Sequence, residues 1–292
     1  MTDSSISPAI TSTTVHGDFW VRFRHNGKAL AGGGIVLALV LIALFAPLLA
    51  PHSFDNTDLI SAWAPPSADH WLGADKLGRD IASRLLFGAR TSLLVSASVL
   101  TITLGIGITL GMLAGYLGGW VDSAISRFVE IVLAFPDVVF AILVAAVLGP
   151  GTLTVIVALS LVWWPGVARL TRSLVKVQRN ELYIDAAIVC GTSLRRILMR
   201  HILPNIIPPL IVRASIGIGF IIMSEATLSL LGLGVQEPQP SWGSMIRDGL
   251  EALRTDPYLA LSGSTALAVT IIGFNLLGDG LRDLLDPKLQ AR

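Results

Sequence analysis

The chain has one cysteine, Cys190, in 292 residues, so no disulfide can close within it. Its five histidines are scattered at 16, 25, 52, 70 and 201, and no His-Glu-x-x-His run, cysteine cluster or nucleophile elbow is present. The usual signatures of a resident metal or a hydrolytic centre are therefore missing, and neither a catalytic, a cofactor-binding nor a metal residue is expected. Charge is scarce too. Lys, Arg, Asp and Glu make up 14% of the residues, where a soluble domain carries roughly 25%, and 53% are hydrophobic. With a mean hydropathy of +0.71, the chain reads as an integral membrane protein with no soluble domain and no nucleic-acid partner.

What is present is apolar length. A helix crosses the hydrocarbon core with about 20 apolar residues, and uncharged runs of that length fill residues 29–51, 91–121 and 258–277. The longer run 138–168 is interrupted by Gly149, Pro150 and Gly151, a strong turn signal, so it reads as two antiparallel helices at about 128–148 and 152–168. Residues 206–233, which carry Arg213 and Glu225, complete six spans. Residues 1–28 are expected to be a disordered tail, 29–51 the first transmembrane helix, 52–88 an extracytoplasmic segment and 281–292 a second tail; 81–90 suits a short helix at the interface. The first span is too long, and Leu48 too large for a cleavage position, to be a signal peptide.

Orientation follows Lys and Arg. Arg169, Arg172, Lys176, Arg179, Arg195, Arg196 and Arg200 lie after the fourth span, Arg22, Arg24 and Lys28 before the first, and Arg282, Lys288 and Arg292 after the last. These segments, including both termini, are expected to be cytoplasmic. Lys76, Arg79, Arg84 and Arg90 on the opposite side weigh against the rule, offset by Asp55, Asp58, Asp69, Asp75 and Asp80.

Three patterns stand out. In the second span Gly107, Gly111, Gly115 and Gly119 recur every four residues, a smooth stripe that must meet another helix, in this chain or in a partner. Inside spans, Asp137 and Glu225 are pathway candidates or helix-to-helix hydrogen bonders; Glu130 and Asp137, seven apart, fall on one face with Pro136 allowing a kink, and Glu130 and Arg213 suit either a pathway or snorkelling. Lastly, residues 185–205 read DAAIVCGTSLRRILMRHILPN, a basic hairpin between apolar spans. Residues 181–189 suit one short helix, Gly191 breaks it, Thr192 or Ser193 caps a second over 194–201, and Pro204 ends that. Such a hairpin is either a docking surface for another protein or an amphipathic element resting on anionic lipid. A phosphate-cradling loop is excluded, because Gly73 to Gly78 have its spacing but are followed by Arg79 and Asp80 rather than Lys and Ser or Thr.

The hairpin, with Asp185, Ala186 and Ala187, then Gly191, then Leu203 and Pro204, resembles the cytoplasmic coupling loop of binding-protein-dependent ABC permeases. Three further blocks, HWLGADKLGRDIASRLLFGARTSL (70–93), SEATLSLLGLGVQEPQPSWGSM (224–245) and FNLLGDGLRDLLDPKL (274–289), are similar to signature blocks of the dipeptide, oligopeptide and nickel branch of that family, specifically its second permease subunit. The family's coupling motif usually opens on Glu where Asp185 stands and has Ile where His201 stands, with Ile202 adjacent.

The resemblance implies an all-α membrane protein with a MetI-like type I importer core of five helices over 89–280, an added N-terminal helix and a coupling loop within 169–205. It also implies a homologous second permease in a heterodimer, two ABC ATPase subunits that hold the ATP and magnesium, an extracytoplasmic substrate-binding protein, the lipid of a bacterial inner membrane, and no enzyme activity in this chain. Dipeptides or oligopeptides are the expected cargo; nickel chelates, glutathione and opines are carried by related systems. Two other classes compete: an intramembrane hydrolase using Asp137 and Glu225, and a secondary transporter, whose usual internal repeat is missing.

Overall fold

The computed structural model describes residues 15–285. They form helices α1 (Val15–His25), α2 (Gly27–Leu49), α3 (Ile81–Leu117), α4 (Gly119–Leu133), α5 (Asp137–Leu148), α6 (Thr152–Arg179), α7 (Leu182–Val189), α8 (Leu194–Arg196), α9 (Leu203–Leu230), α10 (Trp242–Glu251) and α11 (Tyr258–Leu285). A π-helical stretch, Ile197–Ile202, joins α8 to α9, and the pairing of Ala74 with Asp80 is an isolated bridge. Five stretches have the length and apolarity of a span: α2, α3, α6, the rod Leu194–Leu230 and α11. Helices α4 and α5 together make a sixth, bent by 87°. An all-helical build follows from the solvent, since lipid offers no partner to an unpaired backbone amide or carbonyl.

Local chemistry sets the ends. The Asn26 side chain accepts the Ala29 amide at 3.0 Å, the Asp80 carboxylate accepts the Ser83 amide at 2.7 Å, and Ser241 and Ser244 close a reciprocal capping box at α10. Gly118, at φ 68°, stops α3 in a conformation that other residues adopt at a cost.

Several expectations are corrected. Residues 1–14 and 286–292 lie outside the described residues, but Val15–His25 is helical rather than a disordered tail, with Phe23 resting against the open face of α2 at Gly33. The last helix runs to Leu285 instead of ending at 280, because Leu284 is buried and Asp283 meets Lys28 at 3.5 Å. Residues 81–90 are the first turns of α3, not a separate interfacial helix, and Ile81, Ala82, Arg84 and Ala89 are buried there. Glu130 and Asp137 do not share a helix face. The chain breaks between Leu133 and Asp137, where Pro136 has no amide to continue the ladder and disfavours helical geometry at Phe135. Pro204 does not end a helix either. The π turn shifts the register so that the Leu203 amide reaches the Leu198 carbonyl, and Pro204 falls where a missing amide is tolerated, in the first turn of α9.

The centre of the bundle is the parallel contact of α3 with α6. A Cβ placed on Gly107 would stand 2.7 Å from the Val167 Cβ, one on Gly111 2.6 Å from the Thr171 Cβ, and one on Gly115 2.8 Å from the Val175 Cβ. The stripe is thus filled from within this chain. Gly119 departs from it: it lies beyond the helix break with nothing near its missing side chain. Helices α2 and α11 meet in the same way, with Gly32 against the Leu277 amide and Gly280 against Ala29.

Adding one methyl at Gly111 forces α3 from α6, an overpacking cost of about 1–3 kcal/mol, whereas Gly105 faces open space. Thermal unfolding in detergent is expected to show a lowered midpoint for Gly111→Ala and an equal or raised one for Gly105→Ala, where only helix propensity is gained; equal midpoints for the two variants would remove the stripe's structural role.

Candidate coupling surface and polar sites

The basic hairpin is held as a rigid corner. Glu181 is extended and starts α7, and Gly191, at φ 73°, turns the chain out of it, its amide donating to the Ile188 carbonyl at 2.9 Å while the Thr192 amide donates to Ala187 at 3.0 Å. Ile184 is the anchor. It is fully buried in a cluster with Met112 of α3, Val175 of α6, Ile197 and Ile202 of the π turn and Ile206 of α9. Two hydrogen bonds brace it from the side: the Tyr183 hydroxyl donates to Gln178 at 2.6 Å and accepts from the Asn205 amide group at 3.0 Å.

The opposite side of α7 is bare. Leu182 is 84% exposed and Val189 88%, with Ile188, Asp185 and Ala186 also exposed and Ala187 half-buried. Leu203 is half-buried and Pro204 exposed at the start of α9, next to Asn205. Arg195, Arg196 and Arg200 flank this surface, exposed. An eight-residue helix with large apolar side chains in solvent and a single buried anchor is a surface made to be covered.

The intramembrane polar residues separate. Glu225 is enclosed between α3 and α9, accepting from the Ser92 hydroxyl at 3.1 Å and the Ser229 hydroxyl at 2.8 Å. Asp137 begins α5 and is exposed, bordering a small cleft with Trp163 and Ser224. Glu130 meets Arg127 at 3.1 Å on the exposed side of α4. Sequence reasoning passed over Asp122, which accepts from Arg172 through both oxygens and from Lys176 at 2.7 Å, tying α4 to α6.

It also passed over the network at the other end of the bundle. Asp75, Arg79, Asp80 and Arg84 are each at most 3% exposed. Asp75 accepts from Arg79 Nε at 2.7 Å and from the Leu77 and Arg79 amides, and Arg84 Nε lies 3.5 Å away. Arg79 reaches on to Glu237 at 2.9 Å, and Lys76 to Asp248 at 3.4 Å. Buried charges are tolerable only when paired and hydrogen-bonded; Asp75, Arg79 and Asp80 are, whereas Arg84 approaches Asp75 and donates only to the Phe54 carbonyl at 3.4 Å, its Nε left without an acceptor. The pattern had one legible signal: three of the four basic residues that oppose the charge rule, Lys76, Arg79 and Arg84, face carboxylates. His52, His70 and Asp80 also bring one ligand atom each within 4.8 Å. The Asp80 oxygens are, however, committed to His70 at 3.0 Å and to the Ser83 amide and hydroxyl at the start of α3, so the trio reads as a capped turn.

The Arg79 hydrogen bond holds the Glu237 carboxyl below its ordinary value of 4.5. A carboxyl lowered in the folded state contributes stability above its unfolded value, and that contribution disappears as pH falls through the folded value. The unfolding midpoint of Glu237→Gln is therefore expected below that of the parent near pH 7, with the gap closing as pH drops under about 4. A gap that persists unchanged at pH 3 would contradict the pairing.

Comparison with known proteins agrees with this architecture. The family profile described as the inner membrane component of binding-protein-dependent transport systems matches residues 107–291, and that of the N-terminal TM domain of oligopeptide transport permease C matches 15–66. The dipeptide transport system permease protein DppC of Alkalihalophilus pseudofirmus is 42% identical over 270 residues, 92% of this chain and 89% of that one. The glutathione transport system permease protein GsiD of Pectobacterium atrosepticum is 42% identical over 275 residues (94% and 91%), and the oligopeptide permease protein OppC of Bacillus subtilis 38% over 279 (96% and 92%). A chain of the inward-facing MetNI methionine ABC transporter shares the fold at a TM-score of 0.55 and 19% identity, over 69% of this chain and 96% of that one. The six-span helical bundle with its bare corner helix therefore belongs to the inner-membrane components of binding-protein-dependent transport systems, the permease subunits of ABC importers.

Proposed function

We propose that this subunit forms half of a pathway for short peptides and takes its driving force from ATPase subunits seated on α7. The observation that carries this reading is the bare face of α7, with Leu182, Ile188 and Val189 exposed around Asp185 and Ala186, on a helix whose other side is pinned to α3, α6 and the rod by Ile184. A docking helix coupled so tightly passes displacement into the spans instead of absorbing it. The rod runs from Leu194 to Leu230 as continuous helix, through the π turn at Ile197–Ile202, so a push at the corner reaches the far side through one element. Asp185, Ala186, Ala187, Gly191, Leu203 and Pro204 are the residues assigned to coupling.

The remaining assignments follow from that one. The α7 side, with its arginines, faces the cytoplasm together with both termini, in accord with the positive-inside bias. ATP and magnesium are bound by the ATPase pair and not by this chain; a homologous permease completes the pathway, and an extracytoplasmic binding protein delivers cargo. Peptide cargo is supported by relatives named for dipeptide, oligopeptide and glutathione transport, ligands that share a small peptide body with charged ends.

Gly191 tests the coupling. Its φ of 73° is costly for any residue with a Cβ, although nothing crowds the site, so Gly191→Leu alters the angle of α7 and not the packing of the bundle. In proteoliposomes with the partner subunits, dipeptide uptake is expected to fall at least about tenfold, a loss of some 1.4 kcal/mol in coupling, while ATP hydrolysis continues and the subunit inserts normally. Uptake at the parent rate would remove α7 as the transmission point.

A further inference from the structure

Two opposite charges stand beside one indole in the middle of the bundle. The Arg213 guanidinium of α9 lies 5.9 Å from the Trp163 ring centre, with its tip next to Gly166, where a Cβ would come within 3.3 Å. Asp137, the first residue of α5, borders the small cleft that Trp163 and Ser224 line. Phe220 packs on the same indole at 6.1 Å. Trp163 is eleven residues into α6 and six before Arg169, about 16 Å and 9 Å along the axis, which puts it inside a core about 30 Å thick, nearer the arginine-bearing end.

At that depth the two charges need an explanation that packing does not supply. Arg213 is half-buried and points at α6 rather than toward either interface, which sets aside snorkelling. Asp137 is exposed, and among the described residues neither group has an ion-pair partner. The other deep carboxylate, Glu225, is enclosed and saturated by serine hydroxyls; these two are open. An ionised group open inside the core does not face hydrocarbon, so this side of the bundle borders water, solute or a polar partner surface. The indole nitrogen of Trp163 is likewise buried without a hydrogen-bond acceptor.

We infer that Arg213 and Asp137, both beside Trp163, form a charge-reading waist of the pathway, Arg213 receiving the carboxylate and Asp137 the ammonium of a zwitterionic solute. The inference rests on the peptide reading above and adds the chemical feature that is read. A guanidinium offers a carboxylate two parallel donors, and Trp163 limits its swing, so the solute meets a cation already in place. Neither charge outweighs the other, which admits a zwitterion and gives no deep well for a singly charged ion.

The test uses the full transporter in proteoliposomes. Arg213→Cys and Asp137→Cys are each treated with a charged, membrane-impermeant thiosulfonate, after subtraction of labelling at Cys190 in the parent. Both are expected to label and to be protected by alanyl-alanine under turnover, while Leu143→Cys, on the 55%-exposed apolar side of α5, stays unlabelled. Uptake of alanyl-alanine at saturation is expected to fall at least tenfold in Arg213→Gln with ATP hydrolysis retained, and to recover in part in Arg213→Lys. Labelling in the isolated chain that vanishes in the complex regardless of turnover would mean that the partner permease covers the pair, and overturns the waist. So would full uptake by Arg213→Gln. If the parent complex fails to take up any dipeptide, the peptide reading falls separately, and the labelling and protection pattern with the solute it does carry decides the waist.

Discussion

Lipid tails are as apolar as leucine, so nothing squeezes α3 and α6 together from outside. They hold because Gly107, Gly111 and Gly115 show no side chain to Val167, Thr171 and Val175, and the two backbones close to a distance at which dispersion is appreciable. Since the pair runs parallel, the chain between them must return across the membrane. It does so in two short pieces: α4, tied to α6 by Asp122, and α5, which packs back on α6 through Ala141 and Ala145. Only when that frame is set do Ser92 of α3 and Glu225 of α9 come within reach of each other, fixing the rod against the same face.

Rigidity is then distributed unevenly. The corner at α7 is locked by Ile184 and by the Tyr183–Asn205 hydrogen bond, and the rod is one continuous run of helix, whereas the join between α4 and α5 is a bend of 87° with three residues in it. In the coupling reading proposed above, a force entering at the corner finds a continuous helix on one side and a joint on the other, which suits a molecule that has to present a pathway alternately to two compartments. Asp137 lies at that joint, so any change in the angle moves a charge.

How much of this was legible in the sequence depended on periodicity. Six spans and the paired hairpin are written in apolar length and in the Gly149 to Gly151 turn, and the glycine stripe in its four-residue repeat. The rest depends on tertiary context. Local chemistry marks Pro204 as a stop, yet a π turn one register out makes the proline harmless. Seven residues make two turns, which would put Glu130 and Asp137 on a common face, but Pro136 interrupts the helix between them. The pairs Arg79–Glu237 and Lys76–Asp248 join residues 158 and 172 positions apart, a separation at which no pattern in the string identifies a partner. On the proposed coupling side the residue types are visible, but the exposure of Leu182 and Val189, which separates α7 from a helix lying in its own core, is not.

Those long separations also set an order of assembly. Asp75, Arg79 and Arg84 emerge from the ribosome early, and the carboxylates Glu237 and Asp248 that complete their shell are made only after four more membrane-length stretches have been threaded. Throughout that interval the segment before α3 carries charges it cannot yet bury, and it has to wait, hydrated and open to proteases, for the arrival of α10. Truncated nascent chains ending before Ser241 should thus be recognised by surveillance proteases as unfinished at this one end, even though most of their helices are already in the bilayer.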